Sequence, residues 1–81
     1  MAQIRLQILT PEETVLDRMV DAAVFPGRTS PFEVLPGHAP IISALSAGEV
    51  RVVAQEERRF AVGGGVVRVL DNEITVCAET A

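Results

Sequence analysis

Apolar and polar residues alternate along most of the chain, and this period of two is typical of β-strands rather than helices. In the segment IRLQI, residues 4–8, three aliphatic side chains share one face while Arg5 and Gln7 share the other, which predicts a half-buried strand. Further short strands are predicted at residues 14–16, 21–25, 32–35 and 41–45, the last of which also fits a single helical turn.

The second half of the chain predicts two hairpins, the first pairing residues 50–54 with 59–62 and the second pairing 66–70 with 73–78. Asp71 and Asn72 connect the second pair, and both residue types tolerate the positive φ of tight hairpin turns. Eight or so short strands, separated by turns and without any amphipathic helix, indicate one all-β domain that is either a sandwich or a flattened barrel.

Composition narrows the class of protein. The chain has 81 residues, of which 48% are hydrophobic and 22% charged, so a folded domain is expected rather than disorder. The net charge is −4 and aromatic residues are few, which argues against nucleic-acid binding. No segment approaches the ~20 apolar residues of a membrane helix, and the N-terminus lacks the pattern of a signal peptide. The chain is therefore expected to be cytosolic.

The only histidine, His38, lies in the segment EVLPGHAPII. Pro36 and Gly37 have the residue types of a type II turn, and Pro40 restricts Ala39 to an extended conformation. These restraints predict a stiff, exposed corner. His38 could be a catalytic base, a metal ligand, or part of a contact surface.

The contact surface is the favoured interpretation of this corner. Ser30, Ser43, Ser46 and Glu33 lie near His38 in sequence, but none stands in a nucleophile motif, and catalysis needs positioned partners. One histidine and one cysteine are too few for a zinc site. A hydrolase would have to show activity that His38→Ala removes. Neither a metal nor a cofactor is expected.

Three other features have structural interpretations. The run Gly63-Gly64-Gly65 has no following Lys-Ser/Thr and precedes a strand, so it predicts a bulge or a close backbone approach rather than a phosphate loop. The charge run EERR, residues 56–59, is interpreted as a solvated hairpin tip. Cys77 is interpreted as a small core residue rather than a reactive thiol.

Four segments, in this order and spacing, carry a resemblance to a known family: LTPEETVLD, LPGHAPII, ALSAGEVRVV and FAVGGGVVRVLDNEITVCAE. Through these segments the chain resembles the epsilon subunit of F-type ATP synthases over essentially its whole length. The resemblance implies a flattened β-sandwich of about ten short, mostly antiparallel strands. It also implies a non-catalytic rotor subunit in the central stalk, packed against the gamma subunit and resting on the c-ring. Such a subunit helps couple ion translocation to ATP synthesis as a peripheral subunit on the cytoplasmic face of the bacterial inner membrane.

The resemblance assigns two contact surfaces. The gamma-facing residues are expected to be His38, Ala39, Pro40, Ile41 and Ile42, and the ring-facing residues Ser30, Pro31, Phe32 and Glu33. The Gly-Gly pair of the family falls on Gly64 and Gly65, where backbone geometry is the expected reason for it.

The sequence departs from the family in two places. The family commonly has Gly-Glu-Leu-Gly where this chain has Ser30-Pro31-Phe32-Glu33, so its ring-facing carboxylate is replaced by Pro31 and a carboxylate stands at Glu33 instead. Most members continue into a two-helix C-terminal domain. Residues 1–81 are expected to be the β-sandwich domain alone, naturally short or trimmed, without the helical inhibitory switch or its nucleotide site. A free-standing β-sandwich that binds an unrelated protein remains the alternative.

Overall fold

The computed structural model describes residues 2–81, and these form eight β-strands and no helix. The strands are β1 (Ile4–Leu9), β2 (Thr14–Val20), β3 (Ala22–Phe25), β4 (Phe32–Val34), β5 (Ile41–Leu45), β6 (Gly48–Val53), β7 (Glu57–Leu70) and β8 (Glu73–Thr80). The predicted all-β class is confirmed. The count of about ten strands is wrong, since the described residues form eight.

The long strand β7 organises the sheet. The strand order is β2-β1-β8-β7-β6-β3-β4, and β5 pairs with β7 outside that path. Only the β1–β8 pair is parallel among the strand pairs that the described residues form. The first part of β7 pairs with β6, while its second part lies between β5 and β8. The sheet therefore has two halves, and β7 belongs to both. One half has the order β2-β1-β8-β7-β5 and the other the order β7-β6-β3-β4.

The inner faces of both halves contribute to one core, as in a flattened β-sandwich. Alternation places Ile4, Leu6 and Ile8 of β1 inside, each at most 1% exposed. Phe25 of β3 is fully buried, and its ring lies 5.6 Å from the ring of Phe32 between centroids. No charged or polar residue is buried within the part of the chain that the structure describes. The core is therefore built from apolar packing alone.

The glycine run lies where β7 passes from one half to the other. The β7–β8 register shifts between Val62 and Gly65, and Gly64 and Gly65 have φ values of 128° and 144°. A Cβ atom at Gly65 would collide with the carbonyl oxygen of Cys77, and one at Gly63 would lie 2.7 Å from that of Thr80. The predicted bulge and close backbone approach are both confirmed. Because the bulge bends the strand without ending it, residues 59–62 and 66–70 form one strand instead of two.

Two other sequence predictions are corrected. Cys77 is exposed, because β8 alternates and its inward positions are taken by Ile74, Val76 and Ala78. The strand predicted at residues 14–16 continues to Val20. In its second part the polar residues Asp17 and Arg18 are adjacent and only Val20 is buried, so apolar alternation did not reveal it. Residues 41–45 are a strand and not a helical turn.

Candidate docking surface

The corner before β5 is a type II turn, as predicted. The backbone N–H of His38 donates to the carbonyl oxygen of Leu35 at 3.1 Å, and Gly37 between them has φ 81°. Pro36 presets the first central position of such a turn, and glycine takes the second because φ is positive there. The chain therefore reaches β5 through a turn whose conformation its own residues fix.

The side chain of Asn72 attaches this turn to the rest of the sandwich. Its Oδ1 accepts a hydrogen bond from the N–H of Gly37 at 3.0 Å, and its Nδ2 donates to the carbonyl oxygen of Gln3 at 2.8 Å. Asn72 occupies the β7–β8 turn, where Asp71 and Asn72 have φ values of 51° and 61°. The sequence predicts the turn conformation but not these bonds, because the bonded residues lie 35 and 69 positions apart and give no local signal.

His38 hydrogen-bonds within its own loop. Its Nδ1 lies 2.7 Å from the carbonyl oxygen of Ala39, so Nδ1 carries the proton and donates it to that oxygen. His38 is half-buried, whereas Ala39 and Pro40 in the same corner are exposed. The reason is that the ring folds back over its own loop. The structure therefore places His38 in a bond that holds the corner.

Ile41 and Ile42 face opposite sides of β5. Ile41 is half-buried and packs against the core, while Ile42 is 75% exposed. This is the alternation of a strand, and it divides the predicted gamma-facing run in two. Ile42, Ala39 and Pro40 are available for contact, whereas Ile41 supports β5 from below.

The exposed apolar surface extends beyond the predicted run onto β7. Val66 and Leu70 are 46% and 43% exposed, and Arg68 between them pairs with Ile42 across the β5–β7 ladder. A shallow groove of about 360 Å³ lies here and includes Pro40, Ile42 and Leu70 in its lining. Pro40, Ile42, Val66, Arg68 and Leu70 together are called the apolar corner. The segment VVRVL carried the signal for it, because a strand that is apolar in both phases must point some apolar side chains outward.

The four predicted ring-facing residues do not form one surface. Ser30, Pro31 and Glu33 are exposed, but Phe32 is half-buried and packs against Phe25. Phe32 is thus a support for the loop rather than a contact residue. Glu33 lies on β4 opposite Val24, on the outer face of the β7-β6-β3-β4 half.

The loop that contains Ser30 lies beside the C-terminal end of β5. Gly27 forms an isolated bridge with Leu45, and the N–H of Ser46 donates to the carbonyl oxygen of Pro26 at 2.8 Å. A groove between them is lined by residues that include Ser30 and Ala44. The two predicted contact regions are therefore neighbours along β5.

Two groups of ion pairs lie elsewhere on the surface. On the outer face of β1, the guanidinium of Arg5 lies 3.0 Å from the carboxylate of Asp17 and 3.3 Å from that of Glu73. The hydrogen bond from Arg5 holds the pKa of Asp17 below its usual range and raises the pKa of Arg5. At the β6–β7 tip, Glu57 pairs with Arg51 and Arg59 at 3.4 and 3.2 Å. The predicted solvated tip is confirmed.

Neither a group of metal ligands nor a membrane-spanning helix is found in the described part of the chain. Across residues 2–81, no three His, Cys, Asp or Glu side chains are grouped closely enough to hold an ion. Within the same span, no helix is both long and apolar enough to cross a membrane.

Comparison with known proteins places the chain in one family of β-sandwich domains. Residues 3–81 match the family described as ATP synthase, Delta/Epsilon chain, beta-sandwich domain. The chain is 44% identical over 80 residues to the ATP synthase epsilon chain of Syntrophobacter fumaroxidans, covering 98% of this chain and 60% of that protein. It is 38% identical over 82 residues to the ATP synthase epsilon chain of Dehalococcoides mccartyi, covering 100% of this chain and 59% of that protein. The chain thus spans about 60% of the length of these relatives.

Two solved assemblies contain chains with the same fold. In the Euglena gracilis mitochondrial ATP synthase, OSCP/F1/c-ring, the matching chain has a TM-score of 0.90 at 23% identity, covering 96% of this chain and 51% of that one. In the Tetrahymena thermophila mitochondrial ATP synthase central stalk/c-ring, the matching chain has a TM-score of 0.83 at 16% identity, covering 93% of this chain and 62% of that one. At these identities the match shows the fold.

Proposed function

Because this chain belongs to the family of ATP synthase delta/epsilon β-sandwich domains, we propose that it is a non-catalytic central-stalk subunit of a bacterial F-type ATP synthase. In that role it binds the gamma subunit, contacts the c-ring, and helps couple ion translocation to ATP synthesis. The family resemblance read from the sequence is confirmed by the match over residues 3–81. The role itself is inferred from relatives that are named ATP synthase epsilon chains.

The exposure of Ile42 is the single observation that carries the gamma contact. Its side chain is 75% exposed on a strand that packs into the core through Ile41 and Leu45. Protein interfaces gain most of their affinity from a few apolar anchors at the centre of the contact. A rigid support lowers the entropy lost on binding, and the Asn72 bonds to Gly37 and Gln3 supply such a support. His38, Ala39, Pro40 and Ile42 are the proposed contact residues, with Ile41 beneath them.

The contact with the c-ring is proposed for the exposed part of the loop before β4. Ser30, Pro31 and Glu33 are exposed there, while Phe32 anchors the loop to Phe25. In the proposed role the chain is a peripheral subunit of the complex at the cytoplasmic face of the bacterial inner membrane.

Titration calorimetry of the chain with the gamma subunit of the same organism tests the first contact. Ile42→Asp is expected to weaken binding by at least roughly 30-fold, because a charge would be buried at an apolar anchor. Met19→Asp is the matched control. Met19 is 46% exposed on β2, roughly 19 Å from β5 at ~4.8 Å per strand, so this variant is expected to bind like the wild type. Equal loss in both variants would contradict the proposed site, and no binding by folded wild-type chain would favour an unrelated partner.

Cysteine cross-linking in the assembled enzyme tests the second contact. In a Cys77→Ser background, Ser30→Cys is expected to cross-link to the c-ring, while Glu56→Cys at the opposite hairpin tip is not. Equal yields from both positions, or a higher yield from position 56, would contradict the ring-facing assignment.

A further inference from the structure

The three strands at the margins of the sheet differ in how their free edges are protected. Strand β2 is seven residues long and exposes Asp17 and Arg18, and β4 is only three residues long and exposes Glu33. Charges and short length are the usual means by which proteins keep an edge from pairing with another strand. Strand β5, with the sequence IISAL, has neither a charge nor such a short length. Its edge is therefore protected only at its ends, by Pro40 and by the Gly27–Leu45 bridge.

The free edge of β5 presents backbone groups from Pro40 to Ala44. The N–H of Ser46 donates outward to the carbonyl oxygen of Pro26, and backbone groups in a strand point to alternate sides with each residue. The N–H groups of Ala44 and Ile42 therefore point to the same outer edge, while Ile41, Ser43 and Leu45 bond to β7. Pro40 has no N–H and contributes only a carbonyl oxygen. The Gly27–Leu45 bridge covers only the end of this edge.

We propose that the edge of β5 from Pro40 to Ala44 accepts an extended segment of the gamma subunit as an additional antiparallel or parallel strand, and that this segment carries an acidic side chain facing Arg68. The proposal rests on the stalk role above and specifies how that contact is made. Strand addition uses main-chain hydrogen bonds for affinity and side-chain pockets for specificity. The groove beside Ile42 and Leu70 is the pocket for an apolar side chain of the added strand.

Arg68 supplies the argument for an acidic residue. It lies opposite Ile42 on β7, and none of the ion pairs among the described residues includes it. Thr75 is its neighbour on β8, and the carboxylate of Glu73 nearby is already held by Arg5 at 3.3 Å. The added strand lies two strand spacings away, roughly 10 Å, which an arginine reaches with its methylene stem along Ile42.

A second copy of the chain is a poorer occupant of this edge. Pairing two β5 edges would bring a second Arg68 to the interface and would add no carboxylate to pair with either arginine. An acidic strand from another protein satisfies both the edge and the unpaired cation. The experiment below distinguishes a segment of the gamma subunit from a second copy of the chain.

Two variants at position 42 isolate the backbone hydrogen bond. Ile42→Val and Ile42→Pro both keep an aliphatic side chain of reduced size, but only the proline removes the outward N–H. Proline is tolerated at a strand edge where its nitrogen faces away from the ladder, and it keeps Ile41 extended. In calorimetry with purified gamma subunit, Ile42→Val is expected to bind within about threefold of the wild type, and Ile42→Pro to lose roughly tenfold or more. Equal affinities of the two variants would overturn strand addition.

Amide exchange of the wild-type chain makes the test independent of whether Ile42→Pro folds. In the free chain the amides of Ile42 and Ala44 are expected to exchange quickly and those of Ile41 and Ser43 slowly. Gamma binding is expected to slow the first pair. Binding that leaves the Ile42 and Ala44 amides fast overturns strand addition but keeps the stalk role, whereas the absence of binding by folded wild-type chain overturns both. Slow exchange at these amides in a homodimer without gamma, detected by sedimentation, overturns the proposed occupant.

The proposed ion pair between Arg68 and the acidic side chain is tested by the salt dependence of binding. Wild-type affinity for gamma is expected to fall as NaCl rises, since an exposed ion pair is screened. Arg68→Gln is expected to bind more weakly at low salt and to flatten that dependence. An unchanged salt dependence in Arg68→Gln would overturn the ion pair.

Discussion

The outer face of the β2-β1-β8-β7-β5 half is divided into two regions that differ in chemistry. Near β1 and β2, Arg5 is bonded to Asp17 and Glu73, and Gln7 also donates to Asp17. Near β5 and the end of β7, Ile42, Val66 and Leu70 are exposed around the unpaired Arg68. The first region satisfies its polar groups from within the chain, and the second does not. This difference is the reason why we propose a partner for the region in which the sheet leaves apolar area and a cation uncovered.

The largest expected effect comes from breaking the strand that both regions depend on. Gly65→Ala is expected to lower the free energy of unfolding by about 3 kcal/mol or more, since its φ is unfavourable for alanine and the new Cβ collides with the Cys77 carbonyl oxygen. Gly37→Ala is the control, because it also has positive φ but has open space around its Cβ position. It is expected to cost about 1 kcal/mol. Urea denaturation with equal losses in both variants would contradict the role of the bulge.

The next largest effect concerns the part of the apolar corner that the family resemblance does not assign. Leu70→Asp is expected to weaken gamma binding by roughly tenfold, because Leu70 borders the groove beside Ile42. Val15→Asp is the matched control, since Val15 is 37% exposed on β2, at the opposite margin of the sheet. Calorimetry in which Val15→Asp weakens binding as much as Leu70→Asp would show that the division of the face is wrong.

The hydrogen bonds that hold the Pro36-Gly37 turn in place should contribute to binding separately from the exposed side chains of the apolar corner. Asn72→Gly keeps the positive φ of the turn and removes the bonds to Gly37 and Gln3. It is expected to reduce the free energy of unfolding by about 1 kcal/mol and to weaken gamma binding by making the turn more mobile. Thermal unfolding measures the first effect and calorimetry the second. If affinity is unchanged, the rigidity of the turn contributes nothing to docking.

The polar region should respond to pH, and the apolar corner should not. The pKa of Asp17 is lower in the folded protein than in the unfolded chain, chiefly because Arg5 donates hydrogen bonds to it. Its stabilising contribution is therefore fully present above about pH 4, the ordinary range of an unfolded aspartate, and is lost as the pH falls through the lower folded value. Asp17→Asn is expected to lower the melting temperature slightly at neutral pH and to reduce the acid dependence. Glu12→Gln, with an exposed side chain on the β1–β2 connection, is the control and should change neither.

The smallest effect is expected at the hairpin tip. Glu57→Gln removes ion pairs to Arg51 and Arg59 in which every side chain is at least 41% exposed. Exposed pairs contribute little, so the free energy of unfolding should change by about 0.5 kcal/mol or less. A larger loss in urea denaturation would mean that this tip, and not only the core, holds the β6–β7 ladder.

The sequence predicted the elements whose signals are local. Alternation in β1, the turn residues at Pro36-Gly37 and the hairpin residues Asp71-Asn72 each determine the conformation of a few neighbouring positions. The bulge at Gly63–Gly65 was also predicted, because glycine in a strand usually marks one. What the sequence did not show is that β7 continues through these glycines, since that depends on β5, β6 and β8 pairing with it.

The site was less predictable than the fold because it depends on which phase of each strand faces outward. The predicted gamma-facing residues included Ile41, which packs against the core, and the predicted ring-facing residues included Phe32, which packs on Phe25. The prediction missed Val66 and Leu70, whose position beside Ile42 follows from the β5–β7 register. Cys77 was interpreted as a core residue for the same reason, since the phase of β8 was not known. Only the paired strands show which apolar residues remain uncovered.

Carbene footprinting of the free chain and of its complex with gamma tests the docking surface most directly, because one experiment reports side-chain exposure on β2 and on β5 and β7. We expect Ile42 and Leu70 to be labelled in the free chain and protected in the complex, while Met19 and Val15 are labelled equally in both. Protection of Met19 and Val15 with continued labelling of Ile42 and Leu70 would contradict the assignment of the apolar corner as the docking surface.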